Sequence, residues 1–167
     1  MSLGIGLSLN TILPINKAGV LALESPANQA SLAYWQQQRA GRIMPSRADL
    51  SPADMLVFLP NVILLDVLQD PIDFRYRLIG TKVTLQMMFS DHTGKTMREL
   101  SELGQGPGSQ IFGNCQRAVE TAQPVTAQTP YIGKNSDFKA TEDVIMPLSE
   151  DGKTVNMLFI TAEFVDS

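Results

Sequence analysis

One cysteine and one histidine in 167 residues exclude a good deal of chemistry. A lone Cys115 cannot close an internal disulfide or build a multi-cysteine metal site. A lone His92 leaves no second imidazole for a metal, and a Ser-His-Asp triad would have to use it. The acids Glu99, Glu102, Glu142 and Asp143 form no recognisable general acid/base pair. Basic residues are few, 13 against 17 acids, for a net charge of −4. They are scattered, which argues against a nucleic-acid partner and against an anionic membrane surface. No apolar run reaches the roughly 20 residues of a membrane-spanning helix. The apolar start, MSLGIGLSLNTILPINKAGVLAL, lacks a basic n-region and is interrupted by Pro14, Asn16 and Lys17, so it is not read as a signal peptide. The cytoplasm is then the default compartment.

A chain of this length is most simply one domain and can bury roughly 70% of its unfolded surface. An apolar content of 44% is ordinary for a globular protein. Residues 1–24 carry only two charges, Lys17 and Glu24, and show no clear period; they read as an N-terminal arm. Residues 25–167 read as a single domain. Ser25-Pro26 starts a helix that runs to about Arg39, with Leu32 and Trp35 on an apolar face. Such a helix covers the domain or pairs with its own copy, and Trp35 is expected to be buried. Ser51-Pro52 repeats the capping signal and predicts a short helix that Leu59-Pro60 stops.

Val62 to Leu68 is an apolar strand, Gln69-Asp70-Pro71 a turn, and Phe74 to Ile79 an alternating strand with Phe74, Tyr76 and Leu78 on one side and Arg75 and Arg77 on the other. Thr81 to Phe89 reads as a short helix. Thr96 and Glu99 form a capping box for a helix over about 97–102. A longer helix over about 109–122 carries Ile111, Phe112, Cys115, Ala118, Val119 and Ala122 at helical spacing. Three strands follow, at about 125–132, 138–148 and 155–165, the last two joined by the hairpin signal Asp151-Gly152. Pro130 lacks an amide proton and places its strand at an edge or a bulge.

Tyr34-Trp35, Leu59-Pro60, Leu64-Leu65-Asp66, Phe74-Arg75-Tyr76-Arg77-Leu78, Gly80-Thr81, Thr93-Gly94, Glu142, Pro147-Leu148 and Asp151-Gly152 stand in an order and spacing that resembles a bacterial family of short PAS-like proteins. The resemblance covers roughly residues 30 to 165. It implies an α+β fold: a PAS-like five-stranded antiparallel sheet with helices on one face and an N-terminal helical extension. The first strand should lie between the second and the fifth. PAS domains sense small molecules, bind cofactors or mediate dimerisation. This branch of the class implies no particular ligand or cofactor.

Six side chains are candidates for a pocket between sheet and helices: Tyr76, Met87, Phe89, Phe112, Cys115 and Tyr131. They supply apolar surface with a few hydroxyl handles, the usual make-up of a small-molecule site. An ordinary filled core explains them equally well. Cys115, mid-helix on the apolar stripe, reads as a small core residue, with pocket lining as the alternative. His92, between Asp91 and Thr93, reads as solvated or turn-stabilising. Arg75 and Arg77 read as solvated or paired with cross-strand acids, with Glu142, Asp143 and Glu163 as candidate partners. Gly104 to Gly108 lacks the Lys-Ser/Thr ending of a phosphate-binding loop and reads as a hinge or flap.

Three functions follow. The first is a non-catalytic sensory or regulatory module, with no output domain of its own, that binds a small apolar ligand or a protein partner. The second is a dimerisation or adaptor module with a filled core. In both, a homodimer is expected, because the apolar face of the first helix needs cover. The third, an enzyme on the same fold, has the least to work with. A cavity under the long helix separates the first from the second.

Overall fold

A computed structural model of the chain describes residues 22–88, 90–131 and 133–167. The arm expected over residues 1–24 therefore lies, up to residue 21, outside the described residues.

Five strands form one antiparallel sheet: β1 Val62–Leu68, β2 Asp73–Ile79, β3 Val125–Pro130, β4 Phe138–Leu148 and β5 Met157–Asp166. Their spatial order is β2-β1-β5-β4-β3, so β1 lies between β2 and β5. Pro130 falls on the edge strand β3, where no neighbour asks for its missing amide proton. β5 starts two residues later than the spacing suggests. Asn156 serves the turn instead: its side chain accepts from Glu150 N at 3.1 Å, and its backbone N–H donates to Leu148 O.

Both faces of the sheet are covered. Helix α1, Pro26–Arg39, lies over β4 and β5 on one face. Ser25 caps it through Asn28 N at 3.3 Å. The carboxylate of Glu142 gathers its entrance, accepting from Glu24 N, Ser25 N and Asn28 Nδ2 at 2.8, 3.1 and 2.9 Å. Farther along, Ser31 and Thr161 share a hydrogen bond of 2.7 Å, and the Trp35 indole, 2% exposed, donates to Pro147 O at 2.8 Å. Tyr34, Phe58 and Phe159 complete this layer, with ring centroids about 6 Å apart. The apolar face of α1 is thus covered by its own sheet.

The opposite face carries α2 Thr81–Val83, a π-helical turn Thr84–Met88, α3 Met97–Glu102 and α4 Ser109–Thr121. The single helix expected over 81–89 is this short α segment continued by the π turn. α3 has the capping box: Thr96 Oγ1 accepts from Glu99 N at 3.1 Å, and Glu99 Oε2 accepts from Thr96 N at 2.7 Å.

The short helix expected after Ser51 is not a helix. Pro52–Asp54 and Leu59–Asn61 are separate 3-10 turns, each opened by a proline in its first turn. About seven residues between two prolines make too few bonds to repay helix nucleation. Ser51 does not cap; its backbone N–H donates to Tyr34 Oη at 2.9 Å. Leu59-Pro60 starts a turn instead of ending a helix. Gly80 then passes close beneath this corner: a Cβ there would lie against the Pro60 carbonyl and 2.9 Å from Leu59 O.

The arginines of β2 do not meet the acids proposed for them. β1 separates β2 from β5 and β4, so Glu142, Asp143 and Glu163 are out of cross-strand reach. Arg77 pairs instead with Asp66 on the adjacent strand, at 2.9 Å. Glu163 pairs with Lys82, while Glu142 serves α1.

Candidate functional site

A cavity of about 680 Å³ lies between the inner face of the sheet and the segment from Ser90 to Ile111. Its floor follows from strand parity. Ile63 and Leu65 of β1, Tyr76 of β2, Thr141, Asp143 and Ile145 of β4, and Ile160 and Ala162 of β5 all alternate onto this face and are buried. Met97 of α3 and His92 close one side. The stretch Gly104–Gly108 forms the outer wall, with Ser90 and Lys134 at the exposed rim. That glycine-rich stretch, expected as a hinge or flap, is laid against α3. Gln105 N–H donates to Leu100 O at 2.7 Å, and a Cβ at Gly106 would sit 2.7 Å from Ser101 N.

Of the six candidate pocket residues, Tyr76 lines the cavity. Cys115 is fully buried one turn beyond Ile111 on α4, directly behind the lining. Phe112 is wedged between Phe74, at a centroid distance of 5.2 Å, and the Arg98 guanidinium at 5.0 Å. Tyr131 stands apart, against Phe138 and Phe164, and donates its hydroxyl to Gln86 O. Met87 gives its backbone to the π turn; its side chain and all of Phe89 lie outside the described residues.

The cavity adds two residues that sequence reasoning placed elsewhere. His92, expected in solvent or in a turn, is 5% exposed and lines the cavity. Its carbonyl does serve the turn, accepting from Lys95 N at 3.0 Å. Its neighbour Asp91 takes the outward position, accepting from Thr93 N at 2.9 Å, and the imidazole turns inward. Two backbone bonds pin this loop to Tyr76: Gly94 N to Tyr76 O at 2.7 Å, and Tyr76 N to Lys95 O at 3.0 Å. His92 Nδ1 is buried and has no hydrogen-bond partner among the described residues. Burial lowers the imidazole pKa, and the nearby Lys95 lowers it further.

Asp143 is 7% exposed. Thr129 donates to its Oδ2 at 2.7 Å, which leaves Thr141 to donate to Thr129, also at 2.7 Å. Burial pushes the carboxyl up to about 6; the two threonine hydroxyls pull it back and Glu142 adds to the rise. None of these neighbours is cationic. Cys115 links the polar groups. Its thiol is pushed far up by burial and then by Asp143, and Tyr76 is pushed up by burial and then by Cys115. Such a thiol is protonated at neutral pH and is no nucleophile. Among the described residues, no group of three or more His, Cys, Asp and Glu side chains is placed to hold a metal ion, and no helix is long and apolar enough to cross a membrane.

Residues 23–159 match the sequence profile of a family described as PAS domain. Among solved structures, the chain is similar to a fungal LOV domain photoreceptor, at 18% identity and a TM-score of 0.47, covering 89% of this chain and 95% of that one. A search of curated proteins gave no match.

Proposed function

The chain belongs to the PAS domain family, and from that premise we propose that it is a non-catalytic sensory or regulatory module that holds a small, mainly apolar ligand between sheet and α4. The cavity carries this reading. It is large enough for a small molecule and opens to solvent at the rim formed by Ser90 and Lys134. Its isoleucine and leucine floor and the Met97 side chain give a ligand apolar surface to cover, and Tyr76, His92 and Asp143 give it direction. A filled-core adaptor has no use for such a space. The side chains present favour binding over reaction, because the buried thiol is neutral.

Native mass spectrometry of the purified full-length protein tests this reading. A retained small molecule, lost in an Ile160→Trp variant that projects an indole from the cavity floor, is the expected result. Protein that carries no molecule and binds none from a fragment screen refutes it.

A further inference from the structure

Within that ligand-binding reading, we propose that the cavity selects an amine: a small molecule with an apolar, ring-sized body and a protonated amino group seated against Asp143. The reasoning begins with what Asp143 lacks. It is a carboxylate more than nine-tenths buried, its hydrogen-bond donor is a threonine hydroxyl, and among the described residues the groups that shift its pKa include no cation. Buried charges are ordinarily paired, because an isolated one forfeits its hydration without return. Lys134 lies at the exposed rim of the cavity.

The second observation is independent. His92 lines the same cavity, and its Nδ1 is buried without a partner among the described residues. Burial favours the neutral imidazole, whose unprotonated nitrogen accepts a hydrogen bond. Asp143, His92 and Tyr76 line one cavity, and the His92 loop is bonded to the Tyr76 backbone. An alkylammonium group has three N–H donors and no acceptor, so it brings Asp143 a cationic partner and keeps N–H groups for the other acceptors that line the cavity. A carboxylate ligand would set like charge against Asp143, and an alcohol brings it no charge.

Tryptamine, tryptophol and indoleacetate share one aromatic body and differ in head group, so they serve as probes. Isothermal titration of the full-length protein near neutral pH should rank them in that order, with tryptamine at least about tenfold tighter than tryptophol, as hydrogen bonds to a charged group predict. Asp143→Asn should remove about that factor for tryptamine and leave tryptophol within about twofold. The ranking in the unmodified protein stands whether or not the variant folds. Equal affinities for tryptamine and tryptophol, or a tryptamine affinity unchanged in a folded Asp143→Asn protein, overturn the amine assignment and leave the cavity reading intact. Binding of none of the three at millimolar concentration overturns the amine assignment too. The cavity reading falls with it only if native mass spectrometry also finds no retained molecule.

Discussion

Replacing Asp143 by asparagine should stabilise the protein at neutral pH and remove part of its pH dependence. The carboxyl rises from 3.8 in the unfolded chain to about 6 in the fold, chiefly through burial. Below the lower value both states are protonated, and the group contributes nothing either way. Between the two values the unfolded chain ionises while the folded one holds its proton, so stability falls as pH rises. Above about 6 both are ionised and the full penalty is present. A shift of roughly two units at 1.36 kcal/mol per unit makes that penalty about 3 kcal/mol. About 2 kcal/mol of it develops between about pH 4.5 and about pH 7.5. Asparagine keeps an oxygen to accept from Thr129 Oγ1 but has no proton to lose. Urea denaturation of both proteins at those two pH values gives four stabilities. The advantage of Asp143→Asn over the parent should grow by about 2 kcal/mol from the acidic to the neutral condition, or by roughly 4–8 °C in melting temperature for a chain of this size. His92, Asp91 and the other titrating groups are common to both proteins and cancel. An advantage that stays constant with pH would refute the assignment of a buried, unpaired carboxylate at this position.

Glu142→Ala should cost at least about 2 kcal/mol in urea denaturation, because three donors at the entrance of α1 lose their acceptor; Trp35 emission should shift to the red as the helix loosens, and an unmoved spectrum counts against the clamp. Gly80→Ala should cost about 3 kcal/mol, since its methyl group would press on the Pro60 and Leu59 carbonyls, which are backbone and cannot rotate away; a melting temperature at the parent value would show that the corner can yield. Cys115 should resist a thiol reagent in the native protein at mildly alkaline pH and react fully in urea, as burial and the raised pKa require; rapid native labelling would contradict both. Arg98→Ala should raise amide exchange across 91–108 and leave α1 protected, because Arg98 ties α3 to Ile72 O and stacks on Phe112 while α1 lies on the other face; an equal rise in α1 would mean that the two layers open together.

The strands and most helices could be read along the chain because their signals are local. β1 is a continuous apolar run, β2 alternates, and β4 begins after a turn rich in Gly, Asn and Ser. Ser25-Pro26 and Thr96/Glu99 mark helix starts with the hydrogen bonds that the structure contains. Ser51-Pro52 carries the same mark and fails. The difference is length: the helix that Pro26 opens runs for fourteen residues, but after Pro52 the next proline comes eight positions on. A cap lowers the cost of starting a helix and cannot replace the bonds that extend it. Tertiary structure also claims the residues. Tyr34 accepts the Ser51 amide, and Met55 and Phe58 are drawn into the core.

The cavity was legible only in part, and the limit lies in the sheet. A strand with one wet face displays its core side by alternation, so that a carboxylate marks the outside. β4 has helices over both faces, and every residue from Ala140 to Leu148 is buried. Glu142 and Asp143 are adjacent, so one must face α1 and the other the cavity, and polarity alone cannot say which. What separates them is register against neighbours. Ile145 shares parity with Asp143 and with Thr141, placing all three on the cavity floor. Glu142 is instead drawn to the unsatisfied amides at the start of α1, a helix more than a hundred residues earlier. His92 escaped for a related reason. Its neighbours Asp91 and Thr93 are polar and exposed, and nothing local records that the loop is bonded to Tyr76, which turns one residue of it inward. The two side chains that give the cavity its chemistry are thus positioned by contacts distant in sequence, which no window along the chain contains.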